Sequence, residues 1–338
     1  MPAQGQTAIS NGLNLTVAGT QLQFRGTNGL LLEPTRFEYP AFLGEHPFDR
    51  NLTIDVSVAD SHCTNDANSR RPNQPEPSSG EPATENVLFD TRDGWLLTGR
   101  DDWRCVRMPV RGTHRKDHVR DIWQTHWREP MQRACAQVHS DLVEHGVLRH
   151  FVQYPLDQIL LTTLLASEGA LLLHACGGIT PAGGVAFAGV SGAGKSTLTR
   201  LLADSSGMRF FSDDRLFVRR QPQQRSVHSS GDAPAAVSFQ LHGTPWAGDA
   251  HMARNEHAPL DALCFLTQAS DTRLRDLTPA AALERLLPIA TLPWFDANGI
   301  GRALDACAQL IANVPCYELL FAPCRPSVER ALRGLGRG

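Results

Sequence analysis

The sequence predicts an α/β fold whose larger C-terminal part is built on a strand, a glycine-rich turn and a helix in immediate succession, preceded by a smaller β-rich N-terminal domain. Three observations lead there. Residues 183–202, GGVAFAGVSGAGKSTLTRLL, pass from a short apolar run through a glycine-rich stretch into a segment with Leu198, Leu201 and Leu202 on one helical face. The first hundred residues alternate apolar and polar positions over short runs, the period of half-buried strands. Beyond the glycine-rich stretch, apolar runs and helical patterns take turns as far as the C-terminus.

In chain order, LNLTV, QLQF and LTIDVSV read as strands, and VLFDTRDGWLLTG carries an Asp-Gly turn between two apolar runs. These place a β-rich domain over residues 1–112. Within it, residues 60–86 are proline-rich and polar with little to bury, and are expected to form a mobile surface loop. Residues 113–150 read as a helical connector: Val119, Ile122, Trp123 and Trp127 share one helical face, and Met131, Cys135, Val138 and Leu142 repeat the spacing after Pro130. The basic and aromatic run HRKDHVRDIWQTHWREP could suggest RNA, but its tryptophans share the apolar face and its charges the other. His139, His145 and His150 lack a metal-ligand spacing. The third segment, residues 151–338, opens with a helix between Pro155 and Gly169 and continues as two strands leading into the glycine-rich turn. MRFFSDDRLFVRR reads as a strand bent at paired aspartates, APLDALCFLTQ and VPCYELLF as strands, with helices around 280–287, 302–312 and 327–335.

The chain has 338 residues, 41% hydrophobic and 20% charged, with a formal net charge of −3. A packed core in two domains is expected, and no general nucleic-acid binder. No apolar stretch is long enough to span a bilayer and the first residues lack the pattern of a secretory signal, so a cytoplasmic protein without membrane attachment is expected. Eight cysteines are scattered without a Cys-x-x-Cys pair, which argues against a zinc site or a disulfide framework.

FAGVSGAGKST, residues 187–197, carries the chemistry. Gly189, Gly194, Lys195 and Ser196 fit the pattern Gly, four residues, Gly, Lys, Ser/Thr, with Ser191, Gly192 and Ala193 inside the turn and Thr197 after it. Glycines let backbone N–H groups face an anion, the lysine reaches β and γ phosphates, and the Ser196 hydroxyl ligates Mg²⁺, so ATP with Mg²⁺ is the expected ligand. Phosphoryl transfer further needs a carboxylate to accept a hydroxyl proton. FSDDRL offers Asp213 and Asp214 about one strand later, one as base and the other ordering Mg²⁺ or a basic side chain, with a turn or cap tied down by Arg215 as the structural alternative.

On those residues, LLLHACGGITPAGGVAFAGVSGAGKSTLTRLLADSSGMRFFSDDRLFV resembles the catalytic core of the HPr kinase/phosphorylase superfamily, and especially its kinase-like relatives of bacterial biosynthetic gene clusters, some of which phosphorylate a serine on lasso peptides. The resemblance spans His174 to about Val218, extends loosely to the C-terminus and leaves the first 110 residues unexplained. It implies a P-loop core of the HPr kinase and PEP carboxykinase-like type over 151–338. It further implies Asp213 as general base, Asp214 as the metal-side aspartate with Ser196, the nucleotide loop on Gly189 to Ser196, and His174 either steadying the reacting aspartate or simply filling a strand end. Arg254, in a later loop, would clamp phosphate oxygens. The activity implied is transfer of the γ-phosphoryl group to an aliphatic hydroxyl of a peptide or small molecule, and homo-oligomers are known in that family. Thr197 stands where HPr kinases carry Glu, and no acceptor loop for the reverse reaction is recognisable, which separates this chain from the bifunctional members. The second-metal histidine and lysine set of carboxykinases is likewise not found. A nucleotide-dependent regulatory module, or a phosphorylase or hydrolase using the same residues, are the other readings that the sequence allows.

Overall fold

A computed structural model describes residues 12–26, 39–59, 86–92, 94–109, 121–140, 155–203, 207–221 and 237–335. The loop expected over residues 60–86 lies outside these, save Asn86. Two compact units emerge, one of Met1–Leu15, Gln21–Phe37 and Asp49–Gln158, the other of Thr16–Thr20, Glu38–Phe48 and Ile159–Gly338. The chain is therefore mixed α/β with two large mixed sheets.

Eight strands make the first sheet: β1 (Gly12–Val17), β2 (Thr20–Gly26), β3 (Arg50–Ala59), β4 (Asn86–Asp90), β5 (Leu96–Arg100), β6 (Trp103–Pro109), β7 (Asp121–Arg128) and β8 (Arg133–His139), in the order β1-β2-β3-β8-β7-β6-β5-β4. β3 and β8 pair in parallel, Thr53 opposite Arg133, whereas β4 to β8 form an antiparallel meander.

The helical connector expected over 113–150 is corrected where the chain is described, because residues 121–139 are two strands of this sheet. Burial on β8 has period two, through Ala134, Ala136 and Val138, and on β7 Trp123, Thr125 and Trp127 follow the same period with His126 buried besides. Tryptophans four apart satisfy a helix face and a strand face equally. The positions between them decide, and Thr125 and the two alanines carry too little hydrophobic signal to be read beforehand. Val119, Leu142, His145 and His150 lie outside the described residues.

The second sheet has ten strands. Its ordered path is β14 (His257–Pro259), β13 (Phe239–Gly243), β12 (Arg215–Arg220), β9 (Leu171–Thr180), β10 (Gly183–Ala188), β15 (Ala262–Gln268), β18 (Cys316–Phe321) and β16 (Arg273–Asp276), while β11 (Arg209–Ser212) and β17 (Ala290–Thr291) pair with β9. β10, β15 and β18 are parallel, and antiparallel strands extend the sheet on both sides. The parallel strands read as continuous apolar runs because both faces are covered. Ala186, Ala188, Leu263 and Phe265 meet α3 (Pro279–Leu286) and α4 (Ala297–Asn313) through Ala282, Leu286, Cys307 and Leu310. Val185, Phe187, Cys264 and Leu266 meet α2 (Lys195–Leu202) and α5 (Arg325–Leu332) through Leu198, Leu202, Val328 and Leu332. Each of these buried leucines contributes about 1.5–3 kcal/mol by transfer from water. Helix α1 (Leu156–Ala166) precedes β9 and runs Leu160, Leu161, Leu164 and Leu165 into buried positions. Among the described residues no helix is long and apolar enough to cross a membrane.

Candidate functional site

The sheet delivers two segments to one place. β10 ends at Ala188, the glycine-rich turn follows, and α2 begins at Lys195. Gly189 is buried, and its N–H donates to the His174 carbonyl of β9 at 3.3 Å. Gly192 and Gly194 hold φ of +80° and +104°, the left-handed region that side chains disfavour, and a Cβ on Gly194 would press the Phe321 ring. Ala193 is buried and closes the turn through its N–H to the Val190 carbonyl at 3.1 Å, while Ser191 and Thr197 are exposed and Ser196 is half-buried. The N–H groups of Ser191, Gly192 and Gly194 make no hydrogen bond among the described residues. Orphan donors beside a helix N-terminus are groups that an anion can satisfy. Lys195, only 6% exposed, turns back so that Nζ donates to the Gly189 and Val190 carbonyls at 2.9 and 3.2 Å.

The second segment is the bend between β11 and β12. Ser212 Oγ accepts the Asp214 and Arg215 N–H groups, both at 3.3 Å, and so fixes the two residues between the strands. Asp213 and Asp214 leave this bend into different surroundings. Asp213 is 1% exposed, and both its oxygens accept backbone N–H groups from one later loop: Gly248 and Met252 donate to Oδ1 at 2.8 and 3.1 Å, Ala250 to Oδ2 at 2.6 Å. Arg200 of α2 donates to the Asp249 carbonyl of that loop at 2.6 Å. Asp214 keeps a side chain 30% exposed, with Oδ1 2.9 Å from His174 Nε2 and Oδ2 3.3 Å from Arg215 Nε. Register explains the meeting, since Arg215 lies directly opposite His174 on β9.

The electrostatics follow from these contacts. Burial alone would raise the Asp214 carboxyl, but the His174 hydrogen bond and the Arg215, His174 and Lys195 charges outweigh it and hold the carboxyl below the usual carboxylate range. Burial pushes Lys195 below the ordinary ammonium range and the Arg215 charge acts the same way, whereas Asp214 opposes both. Lys195, Asp214 and Arg215 thus sit within electrostatic reach of one another. Cys176, beneath Lys195, donates its thiol to the Lys195 carbonyl at 3.7 Å, and burial first of all pushes that thiol up to about 12.

Of the residues singled out from sequence, His174, Asp214, Lys195 and the turn from Gly189 to Thr197 come together. Asp213 shares the bend, with its oxygens taken by backbone. Arg254 is held by its backbone, N–H to the Phe211 carbonyl at 2.7 Å, and among the described residues its guanidinium makes no ion pair. Two contributors went unread. Gln268 Nε2 donates to the Gly192 carbonyl at 2.6 Å, orienting the middle of the turn from the end of the neighbouring parallel strand. The loop around 248–252 caps the Asp213 carboxylate. A polar residue at the carboxyl end of a strand beside the turn was the available signal for Gln268, because ligands gather at those ends. No three-ligand group of His, Cys, Asp or Glu suited to a metal occurs among the described residues. No protein-family model matches the chain, and no curated protein matches it.

Proposed function

We propose that this chain is an ATP-dependent phosphotransferase of the HPr kinase-like P-loop type that moves a γ-phosphoryl group to an aliphatic hydroxyl, serine being the best candidate, of a peptide or small molecule. The observation that carries the reading is the convergence of Lys195 and three turn amides, unpartnered among the described residues, with a His174–Asp214 pair from the adjoining strands. A nucleotide switch needs the turn alone; the hydrogen-bonded carboxylate beside it suits an acceptor.

The residues present fit the ligand set. N–H groups unpartnered among the described residues, a buried lysine and a hydroxyl on the first turn of α2 match the donors that β and γ phosphates require. Ser196 would hold Mg²⁺ together with the phosphates and water, and the bound ion would neutralise charge on the β and γ oxygens. Asp214 faces the acceptor. As the hydroxyl oxygen bonds to the γ-phosphorus and the bond to the β-phosphate oxygen breaks, the electron pair leaves with ADP and the hydroxyl proton passes to Asp214. A carboxylate of low basicity suffices because the transition state is loose and the proton departs late. His174 orients Asp214. This exchanges the roles expected from sequence, with Asp214 rather than Asp213 as base. Three backbone amides occupy both oxygens of Asp213 and cover it, so it serves better as the anchor of the loop around 248–252.

A mass-spectrometric screen of purified protein with Mg-ATP against free hydroxy amino acids, serine-bearing peptides and HPr tests the reading. One added phosphate on an acceptor, lost in Asp214→Asn, is the expected result. Release of inorganic phosphate with no phosphorylated acceptor would contradict it in favour of a hydrolase.

A further inference from the structure

We propose that Arg215 is a second phosphate-contacting cation, which with Lys195 grips the terminal phosphate of the nucleotide and makes the site selective for a triphosphate over a diphosphate. The proposal rests on the phosphotransferase reading above.

Arg215 starts from a rigid position. It opens β12, its N–H donates to Ser212 Oγ at 3.3 Å and its carbonyl accepts from Thr244 Oγ1 at 2.7 Å. The side chain is 30% exposed, and its Nε lies 3.3 Å from Asp214 Oδ2, on the carboxylate that His174 also holds. Among the described residues the guanidinium makes that ion pair and no side-chain hydrogen bond. Its planar fork of N–H groups is therefore open on the side that Asp214 does not take.

Charge balance makes the same point. Lys195 and Arg215 lie close enough for the Arg215 charge to act on Lys195, and Asp214 is the carboxylate they share. Asp213 is spent on three backbone amides. Lys195 and Arg215 share one exposed carboxylate, Asp214, and an anion bridging the two cations would relieve their repulsion. A γ-phosphate carries that charge, and the charge spreads over its equatorial oxygens during transfer, where a guanidinium is most effective.

The test is calorimetric titration of Mg-ATP and Mg-ADP into the wild type, Arg215→Met and Arg215→Lys, with thermal unfolding of each. The wild type is expected to prefer ATP. Arg215→Met should lose about tenfold or more in ATP affinity with ADP affinity within about twofold, as for one lost charge-assisted pair. Arg215→Lys should recover part of the ATP preference, since it restores charge without the fork. An unaltered ATP-to-ADP ratio in both variants would overturn the Arg215 assignment and leave it a partner of Asp214 alone. Failure of the wild type to bind either nucleotide would overturn the phosphotransferase reading itself.

Discussion

Two loops of the second unit use backbone N–H groups in opposite ways. In the glycine-rich turn after β10, Ser191, Gly192 and Gly194 present donors with no acceptor among the described residues, beside a lysine and a helix N-terminus. In the loop around 248–252, the Gly248, Ala250 and Met252 donors converge on an anion the chain carries itself, the Asp213 carboxylate. The same group chemistry is open in the first and closed in the second. What separates them is whether an internal carboxylate reaches the donors, and that contrast assigns the adjacent aspartates different tasks: Asp213 completes a structure, and Asp214 stays accessible.

Substitutions can break the contrast at either end. Lys195→Ala removes the cation of the open loop and should lower both nucleotide affinity and transfer, the latter by about 10²–10³-fold, the scale for a preorganised charge partner. Calorimetry and a transfer assay measure the two effects. Asp214→Asn should cost about 10²-fold or more in turnover, with nucleotide affinity within about threefold, as expected for a lost base.

Asp213→Asn should act on the closed loop. Replacing one carboxylate oxygen by an NH₂ group opposes the amides that donate to it, and losing charge-assisted bonds at a buried site should cost about 2–4 kcal/mol, read as a lower melting temperature and urea midpoint. Gln268→Leu should be milder, about 1 kcal/mol at most and a few-fold weaker nucleotide binding, since a single side-chain bond to the Gly192 carbonyl is lost.

A further effect concerns acid stability. His242 on β13 is buried, its ring lies tilted against His257 with centroids 5.4 Å apart, and its Nε2 has no partner among the described residues. Burial foremost, then the Arg219 and His257 charges, depress it from 6.5 to about 3. Below pH 6.5 the unfolded chain gains a proton that the folded chain refuses until about pH 3, so stability from this group is present at neutral pH and falls as pH drops through that window. His242→Phe should lose less stability than the wild type between pH 7 and 4.5 in urea titrations.

How much of this was legible beforehand depends on how local the cause is. The turn was readable because its glycines, lysine and hydroxyl act within ten residues, and strand, turn and helix follow without interruption. The bend at Asp213 and Asp214 was readable as a pair of polar residues between apolar runs. Their division of labour was not, because the donors that occupy Asp213 come from 35, 37 and 39 residues further along. Gln268 reaches Gly192 across 76 residues. Strands β7 and β8 escaped for a different reason: Trp123 and Trp127 fit both periods, and alanines and a threonine fill the inward positions that would have separated them.

The most direct measurement is a side-by-side comparison of Asp213→Asn and Asp214→Asn for Mg-ATP binding, transfer to the acceptor that the screen identifies, and thermal unfolding. The account predicts that Asp214→Asn melts like the wild type, binds Mg-ATP and transfers almost nothing, while Asp213→Asn melts lower but retains turnover well above it. A stable, inactive Asp213→Asn beside an active Asp214→Asn would contradict the account and return the base to Asp213.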